Sequence, residues 1–255
     1  MKGWQIFRHA LRQVFGNMDG ALKISAAPYA VSFLVSLIFI GAPSDMSAMM
    51  DDAEMGMSMR FMGIGGLISV LVVIVAGLIV AVGWHRYVLL NEVPGGYMPV
   101  IKLDRLWAYF SRAFVLGLIV ILCGVLWGVV VGPIFGGMMM GSSSMIGLVV
   151  FLLIVQIPIV FVGLRLCTGL PAQALGQNNA ILAGWNATKG QSADMISLAV
   201  ITTVASVIIG LPGGFVLTGI LGQIWALVFG WVQMMVGVSL LTTLYGHYIE
   251  ARPLA

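Results

Sequence analysis

Methionine is the residue type whose clustering in this chain most directly suggests chemistry. Six methionines closely follow the first long apolar stretch: Met46, Met49, Met50, Met55, Met57 and Met59. Thioether sulfur is a soft ligand that suits Cu(I), and MxM or MxxM spacing can bring two sulfurs to one ion. A flexible, apolar methionine also suits a loop that rests against a membrane or a partner protein. Because no His or Cys accompanies these sulfurs in the loop, we favour surface contact and keep Cu(I) binding as the alternative.

Neutral polar side chains form a second group of interest, because they interrupt stretches that are otherwise apolar. They are Gln156, Thr202, Thr203, Ser206, Gln223 and Gln233. We expect Gln156 and Gln233 to hydrogen-bond between helices, each bond contributing about 0.6 kcal/mol. The alternative is that the two glutamines line a cavity for a neutral or lipid-like ligand, to which Pro158 would present a freed backbone carbonyl.

Titratable side chains gather near the ends of the apolar stretches rather than inside them. Four of them could form a metal or acid–base site: His85, Glu92, His247 and Glu250. Their spacing matches no standard set of metal ligands, so we interpret the histidines as interfacial residues. Three arginines are expected to extend toward lipid phosphates: Arg86, Arg112 and Arg165.

The chain carries no sequence motif of a known catalytic site. It contains no Walker-type loop, no HExxH, no GxSxG and no pair of intramembrane aspartates, so we expect that it is not an enzyme and uses no cofactor. No carboxylate or histidine interrupts the apolar stretches, although ion-coupled transport normally requires one. The net charge of +3 comes from scattered residues and not from a basic stripe, which argues against a nucleic-acid partner.

Six long apolar stretches must position all of these residues. Their interiors contain no Asp, Glu, Lys, Arg or His, and they are Ile24–Ala42, Phe61–Gly83, Ala113–Gly132, Met145–Leu164, Met195–Leu211 and Ile220–Tyr245. About 20 helical residues cross a hydrocarbon core. With 60% hydrophobic residues, 8% charged residues and a mean hydropathy of +1.08, the chain is predicted to be one all-α membrane domain, residues 1–255, with six transmembrane helices.

The distribution of positive charge predicts the orientation of these helices. If the N-terminus is cytoplasmic, only Arg60 among the twelve Lys and Arg residues falls outside. Cytoplasmic segments are enriched in Lys and Arg because translocating them is unfavourable. We therefore expect a multi-pass protein of the inner membrane whose N- and C-termini are both cytoplasmic.

Short amphipathic segments precede the first, third and fifth stretches. The first carries an apolar stripe at helical spacing, Trp4, Phe7, Leu11, Phe15 and Met18. Similar segments lie at 103–114 and, more weakly, at 182–189. They predict three interfacial helices and three pseudo-repeats, 1–83, 84–165 and 166–255, each an interfacial helix followed by a hairpin. The alternative is that the segments are ordinary connectors of a polytopic protein.

The organisation resembles a known group of proteins. A Trp followed by Thr, Lys and Gly stands before the fifth stretch, with one proline inside the fourth stretch and one after it: Trp185, Thr188, Lys189, Gly190, Pro158 and Pro171. Together with the amphipathic N-terminus and six predicted spans, they resemble poorly characterised bacterial six-helix inner-membrane proteins. Those proteins are akin to the membrane domain fused to some glycerophosphodiester phosphodiesterases. The resemblance implies an inner-membrane protein without a known active site.

Four glycines in the third stretch recur at intervals of four residues: Gly124, Gly128, Gly132 and Gly136. Such spacing lines one helix face and lets another helix approach closely. Gly230 and Gly237 in the sixth stretch are a candidate counterpart within the chain, and a partner protein is another. The alternative to helix contact is that the glycine face lines a site for a ligand or a pore. We therefore expect the protein to act by binding. It would be an accessory, assembly or stabilising component of a membrane complex, or a lipid organiser. The expected partners are membrane lipids and a second integral membrane protein. The alternative function is transport of a lipid, a small neutral solute or Cu(I).

Overall fold

The computed structural model describes residues 2–39, 64–97, 100–140, 145–215, 217 and 219–254. Within these ranges the chain forms helices and no strand. The helices are α1 (Lys2–Phe15), α2 (Met18–Phe39), α3 (Ile64–Leu90), α4 (Leu103–Met140), α5 (Met145–Cys167), α6 (Pro171–Leu175), α7 (Ala183–Ala187), α8 (Ser192–Phe215) and α9 (Gly219–Tyr248).

Six of these helices, α2, α3, α4, α5, α8 and α9, are long and apolar enough to cross a membrane. Large apolar side chains cover the outside of the bundle, among them Ile121, Leu126 and Val129 on α4. Exposed apolar surface of this extent is unfavourable in water and is the normal surface of a protein in lipid. The all-α, six-span prediction is therefore confirmed, and the chain is a multi-pass integral membrane protein.

The second amphipathic segment differs from the prediction of a separate interfacial helix. It forms the first turns of α4, which continues from Leu103 without a break. The apolar part of α4, Leu103–Phe135, contains 33 residues, or about 50 Å of helix at 1.5 Å per residue. This length exceeds the ~30 Å of a hydrocarbon core, so the amphipathic start of α4 extends beyond it.

Helix α1 packs on the bundle through a face of small and aliphatic residues. Gly3, Ile6, Ala10 and Val14 are buried, and the contacts of α1 are chiefly with α8 and α9. Gly3 permits this approach, because a methyl group there would overlap the Ser197 side chain and the Leu198 backbone. Trp4 and Phe15, from the predicted stripe, lie on the other side and are 51% and 50% exposed. The helix thus has two apolar faces, one packed on the bundle and one free to contact lipid.

Both ends of the chain meet at one end of the bundle. Ser239 Oγ in α9 donates a hydrogen bond to Gln13 Oε1 in α1, at 2.8 Å. After α9 the chain turns back, so that Arg252 Nη2 donates to the Leu89 carbonyl at the end of α3, at 2.9 Å. We call this region, formed by α1, residues 91–97 and 100–102, residues 168–191 and residues 249–254, the basic end.

His85 joins three helices in the core near the basic end, and its side chain is fully buried. Its Nδ1 lies 2.8 Å from the Thr242 hydroxyl of α9, and its Nε2 lies 3.1 Å from the Tyr109 hydroxyl of α4. The Thr242 hydroxyl donates to the Val238 carbonyl, so it must accept its second bond from Nδ1–H. In a neutral ring, Nε2 then accepts from the Tyr109 hydroxyl. The interpretation of His85 as an interfacial residue is wrong.

A proline in α5 explains one contact between α4 and α5. Pro158 lacks the amide hydrogen that would bond the Ile154 carbonyl one turn earlier. The indole Nε1 of Trp127 in α4 donates to that carbonyl instead, at 3.2 Å. The carbonyl that was expected to face a ligand is therefore occupied by a neighbouring helix.

This arrangement predicts a non-additive pair of substitutions. Trp127→Phe leaves the Ile154 carbonyl without a partner and should lower the free energy of unfolding by about 1–2 kcal/mol. In a Pro158→Ala background the new amide hydrogen can bond the same carbonyl, so Trp127→Phe should cost much less. Denaturation of the four proteins in one mild detergent measures both costs. An equal cost in the two backgrounds would contradict the assignment.

Candidate functional site

The principal candidate is a cavity of about 250 Å³ between α5, α8 and α9. Toward the basic end it is bounded by two side chains of α1, Phe7 and Leu11, and by Leu164 and Leu240. Along α9 its lining runs from Phe229 to Leu240, which is about 16 Å at 1.5 Å per residue. No lining residue among those described is charged.

Most of the neutral polar residues singled out in the sequence come together in this cavity. Its lining includes five of the six, Gln156, Thr202, Thr203, Ser206 and Gln233, whereas Gln223 is not a lining residue. They lie near the middle of their helices, whereas both ends of the cavity are lined by aliphatic or aromatic side chains. The tertiary structure thus places three separate helices so that their hydrogen-bonding groups face one space at mid-membrane depth.

Besides Ser206, three of these polar groups lack hydrogen-bond partners within the described ranges. Gln156 and Gln233 are exposed, and neither amide bonds to any residue within the described ranges, contrary to the expected bonding between helices. Thr203 is only 3% exposed, and its Oγ1 is buried without a partner. By contrast, Thr202 donates to the Leu198 carbonyl of its own helix at 2.9 Å. An unpaired polar group in hydrocarbon costs several kcal/mol, so these three groups favour an additional polar partner.

Gly237 keeps part of the cavity open. It is a lining residue, and a methyl group placed on its Cα would meet no described atom within 4 Å. Gly230, the other proposed counterpart of the α4 glycines, instead accommodates the hydroxyl of Tyr29. That hydroxyl crosses from α2 to donate to the Leu227 carbonyl of α9, at 2.9 Å.

Arg165 differs most clearly from its predicted role at lipid phosphates, because it is only 6% exposed. Its Nε donates to the Thr188 hydroxyl at 3.1 Å, and its Nη2 donates to the Thr188 carbonyl at 3.2 Å. The guanidinium carbon also lies 4.0 Å from the centre of the Trp185 ring. The Trp and Thr of the resemblance motif therefore bind Arg165 inside the protein. Its assignment to lipid head groups is wrong.

The other two arginines also bond to residues 168–191, which we call the cap segment. Arg86 Nη1 donates to the Ala174 carbonyl at 2.9 Å, and Arg112 Nη2 donates to the Asn179 carbonyl at 2.8 Å. Both arginines are half-buried. These bonds connect α3 and α4 to the cap segment, and they leave only part of each guanidinium free for lipid.

The four titratable residues near the span ends do not form a site. His85 is buried in the core, while Glu92 pairs with Arg86 and Lys102. His247 Nδ1 lies 3.1 Å from the Arg252 carbonyl, and no group of three His, Cys, Asp or Glu suited to a metal occurs in the described ranges. The hydrogen bond from Lys102, with that from Arg86, holds the pKa of Glu92 below its ordinary value. The ion pairs of Glu92 with Lys102 and Arg86 are therefore present at any pH above the ordinary carboxyl pKa. They weaken as the pH falls through the lowered pKa of Glu92.

The glycine repeat in α4 makes one contact in the part of the chain that the structure describes. A methyl group on Gly124 would lie 3.4 Å from Ile159 of α5, whereas one on Gly128 or Gly132 would meet no described atom within 4 Å. The surroundings of Gly136 lie outside the description. The six methionines proposed for Cu(I), at 46–59, also lie outside the described residues.

Comparisons with family models, with curated proteins and with solved structures find no match to this chain. The resemblance to bacterial six-helix inner-membrane proteins therefore stays a prediction.

Arg165 provides a test of the cap segment. Arg165→Lys removes the planar fork that binds Thr188 and stacks on Trp185, so it should lower the free energy of unfolding by roughly 2–4 kcal/mol. It should also accelerate tryptic cleavage after the exposed Lys189, since local opening of the segment becomes easier. Arg8 is exposed, so Arg8→Lys is the matched control. Equal cleavage rates in the two variants would show that Arg165 does not hold the segment.

Proposed function

We propose that this chain is a non-catalytic membrane protein that binds an uncharged amphiphile in the cavity between α5, α8 and α9. The ligand is a mostly apolar molecule with a hydroxyl, carbonyl or amide group. The single observation that carries this proposal is the convergence of unpartnered amides from Gln156 and Gln233 with the orphan hydroxyl of Thr203 in one cavity.

The chemistry of the lining supports an uncharged ligand. Each glutamine amide offers two N–H donors and a carbonyl acceptor, and the threonine hydroxyl offers a donor and an acceptor. These groups suit a ligand that both donates and accepts hydrogen bonds. No opposite charge is available in the described lining to offset the desolvation of an ion.

The size of the cavity supports a small molecule or one segment of a lipid. Ligand sites usually enclose ~300–1,000 Å³, and this cavity encloses about 250 Å³. A whole phospholipid would not fit. Apolar walls on both sides of the polar groups match a ligand whose polar atoms lie between two apolar parts, or one whose chain enters the cavity from the bilayer.

Two roles agree with such binding. In the first, the protein retains a lipid-like molecule as a lipid organiser or as an accessory component of a membrane complex. In the second, the protein lets the molecule cross the membrane. The position of Gln156 and Gln233 near the middle of their spans favours this role, because transporters bind their substrates near mid-membrane. The described lining contains no titratable group for coupling, so passage would follow the concentration gradient.

The ligand hypothesis predicts that filling the cavity removes the ligand. Gly237→Leu should lower the amount of uncharged lipid-like material that co-purifies with the protein by roughly tenfold, a loss of about 1.4 kcal/mol of binding. Thr203→Val removes the orphan hydroxyl without changing the volume and should lower it less. Mass spectrometry of organic extracts, expressed per mole of protein, measures the retained molecules.

Gly128→Leu is the matched control, because it adds the same side chain to open space in α4 away from the cavity. Its extract should equal that of the unsubstituted protein. The proposal fails if Gly237→Leu and Gly128→Leu retain the same neutral compounds, or if every retained compound is an ion. Release of a retained compound into the lumen of proteoliposomes would favour passage over storage.

We further propose that the protein lies in the inner membrane with the basic end in the cytoplasm, in agreement with the positive-inside rule. Single cysteines at Lys189 and Ser58, in a background with Cys123 and Cys167 replaced by Ala, test this orientation. An impermeant maleimide should label Ser58→Cys in intact spheroplasts and Lys189→Cys only after lysis. The reverse pattern would overturn the orientation and leave the cavity hypothesis unaffected.

A further inference from the structure

A second groove lies between α2 and α3 and shares no lining residue with the cavity described above. It encloses about 380 Å³ and is lined only by apolar side chains, among them Ala27, Val31, Leu71 and Val75. Val31, Leu71 and Val75 are exposed at the outer surface of the bundle. The groove is therefore accessible from the surrounding lipid.

This groove leads to a charged recess at the basic end. Ile79 and Ile101 line the groove and also a smaller recess of about 60 Å³. Arg86, Glu92 and Lys102 line that recess. From Leu71 to Arg86 the path along α3 is about 22 Å at 1.5 Å per residue. One continuous surface thus changes from apolar to charged along its length.

The charged side chains that line the recess carry a net positive charge. Arg86 Nε donates to Glu92 Oε2 and Lys102 Nζ donates to Glu92 Oε1, each at 2.7 Å. Two cations therefore share one carboxylate, and the three groups carry a net charge of +1. Lys102 has three N–H donors and uses one of them for Glu92, while its side chain remains 34% exposed. An anion can bind there without displacing the carboxylate.

The connection between α3 and α4, next to the recess, exposes several large apolar side chains. They are Val93, Tyr97, Val100 and Ile101. Such residues favour a position within the interfacial layer, at the depth of lipid head groups. We therefore expect Lys102, which follows them directly, at the depth of lipid phosphates.

We propose that this surface binds one phospholipid, with an acyl chain in the groove between α2 and α3 and the phosphate at Lys102, beside Arg86. The length of the surface matches that of an acyl chain joined to a head group, and the net charge of the recess complements a phosphate monoanion. The site is independent of the cavity that binds the uncharged ligand.

Native mass spectrometry of the full chain in mild detergent tests the site, with phosphatidylglycerol as the probe. Lys102→Gln should weaken binding about fivefold, since one Lys near a phosphate contributes on the order of 1 kcal/mol. Lys189→Gln, an exposed lysine on another segment, should leave it unchanged. Diacylglycerol with the same chains should bind weakly to all three proteins, because it lacks the phosphate.

A second pair of variants tests the acyl chain. Ala27→Phe fills the groove and should reduce binding of phosphatidylglycerol at least as much as Lys102→Gln. Ala30→Phe adds the same ring at an exposed position of α2 outside the groove and should have no effect. Equal binding within either pair would overturn the proposal. So would full competition by soluble glycerol phosphate, which would indicate an anion site without a lipid chain.

Discussion

Hydrocarbon offers no hydrogen bonds, so each polar group within the membrane must find its partner inside the protein. Several long-range contacts satisfy this requirement. Trp127 bonds the Ile154 carbonyl that Pro158 leaves free, and Tyr29 reaches the Leu227 carbonyl across a glycine. Because each of these bonds joins two helices, the need for partners also determines which helices pack together.

The same requirement explains how the basic end is organised. Arg86, Arg112 and Arg165 all donate to backbone carbonyls of the cap segment, whose short helices leave such acceptors available. Arginine suits this role because its planar fork presents several donors at once and keeps its charge. The arginines on which the predicted orientation rests therefore also hold the basic end together.

Against this background, the cavity between α5, α8 and α9 is a place where several polar groups without partners lie together. Gln156, Gln233 and Thr203 retain unused hydrogen-bonding capacity, although His85, which is more polar still, is fully bonded a few turns away. Other polar atoms are also buried without a partner, among them Ser69 Oγ, Trp84 Nε1 and Trp225 Nε1. The gathering of several such groups in one cavity is what supports a ligand. The groove between α2 and α3 differs in kind, since its walls are apolar and its charge lies at one end.

The sequence alone determined the class of the protein: six uncharged apolar stretches of sufficient length form helices wherever water is absent, because only helices satisfy the backbone locally. It also identified the polar residues that interrupt those stretches. The tertiary structure decided their roles, since helical periodicity shows which residues share a face and not which helices become neighbours. Gln156, Thr203 and Gln233 thus meet in one cavity, while Arg165 and His85 turn inward to partners twenty or more residues away.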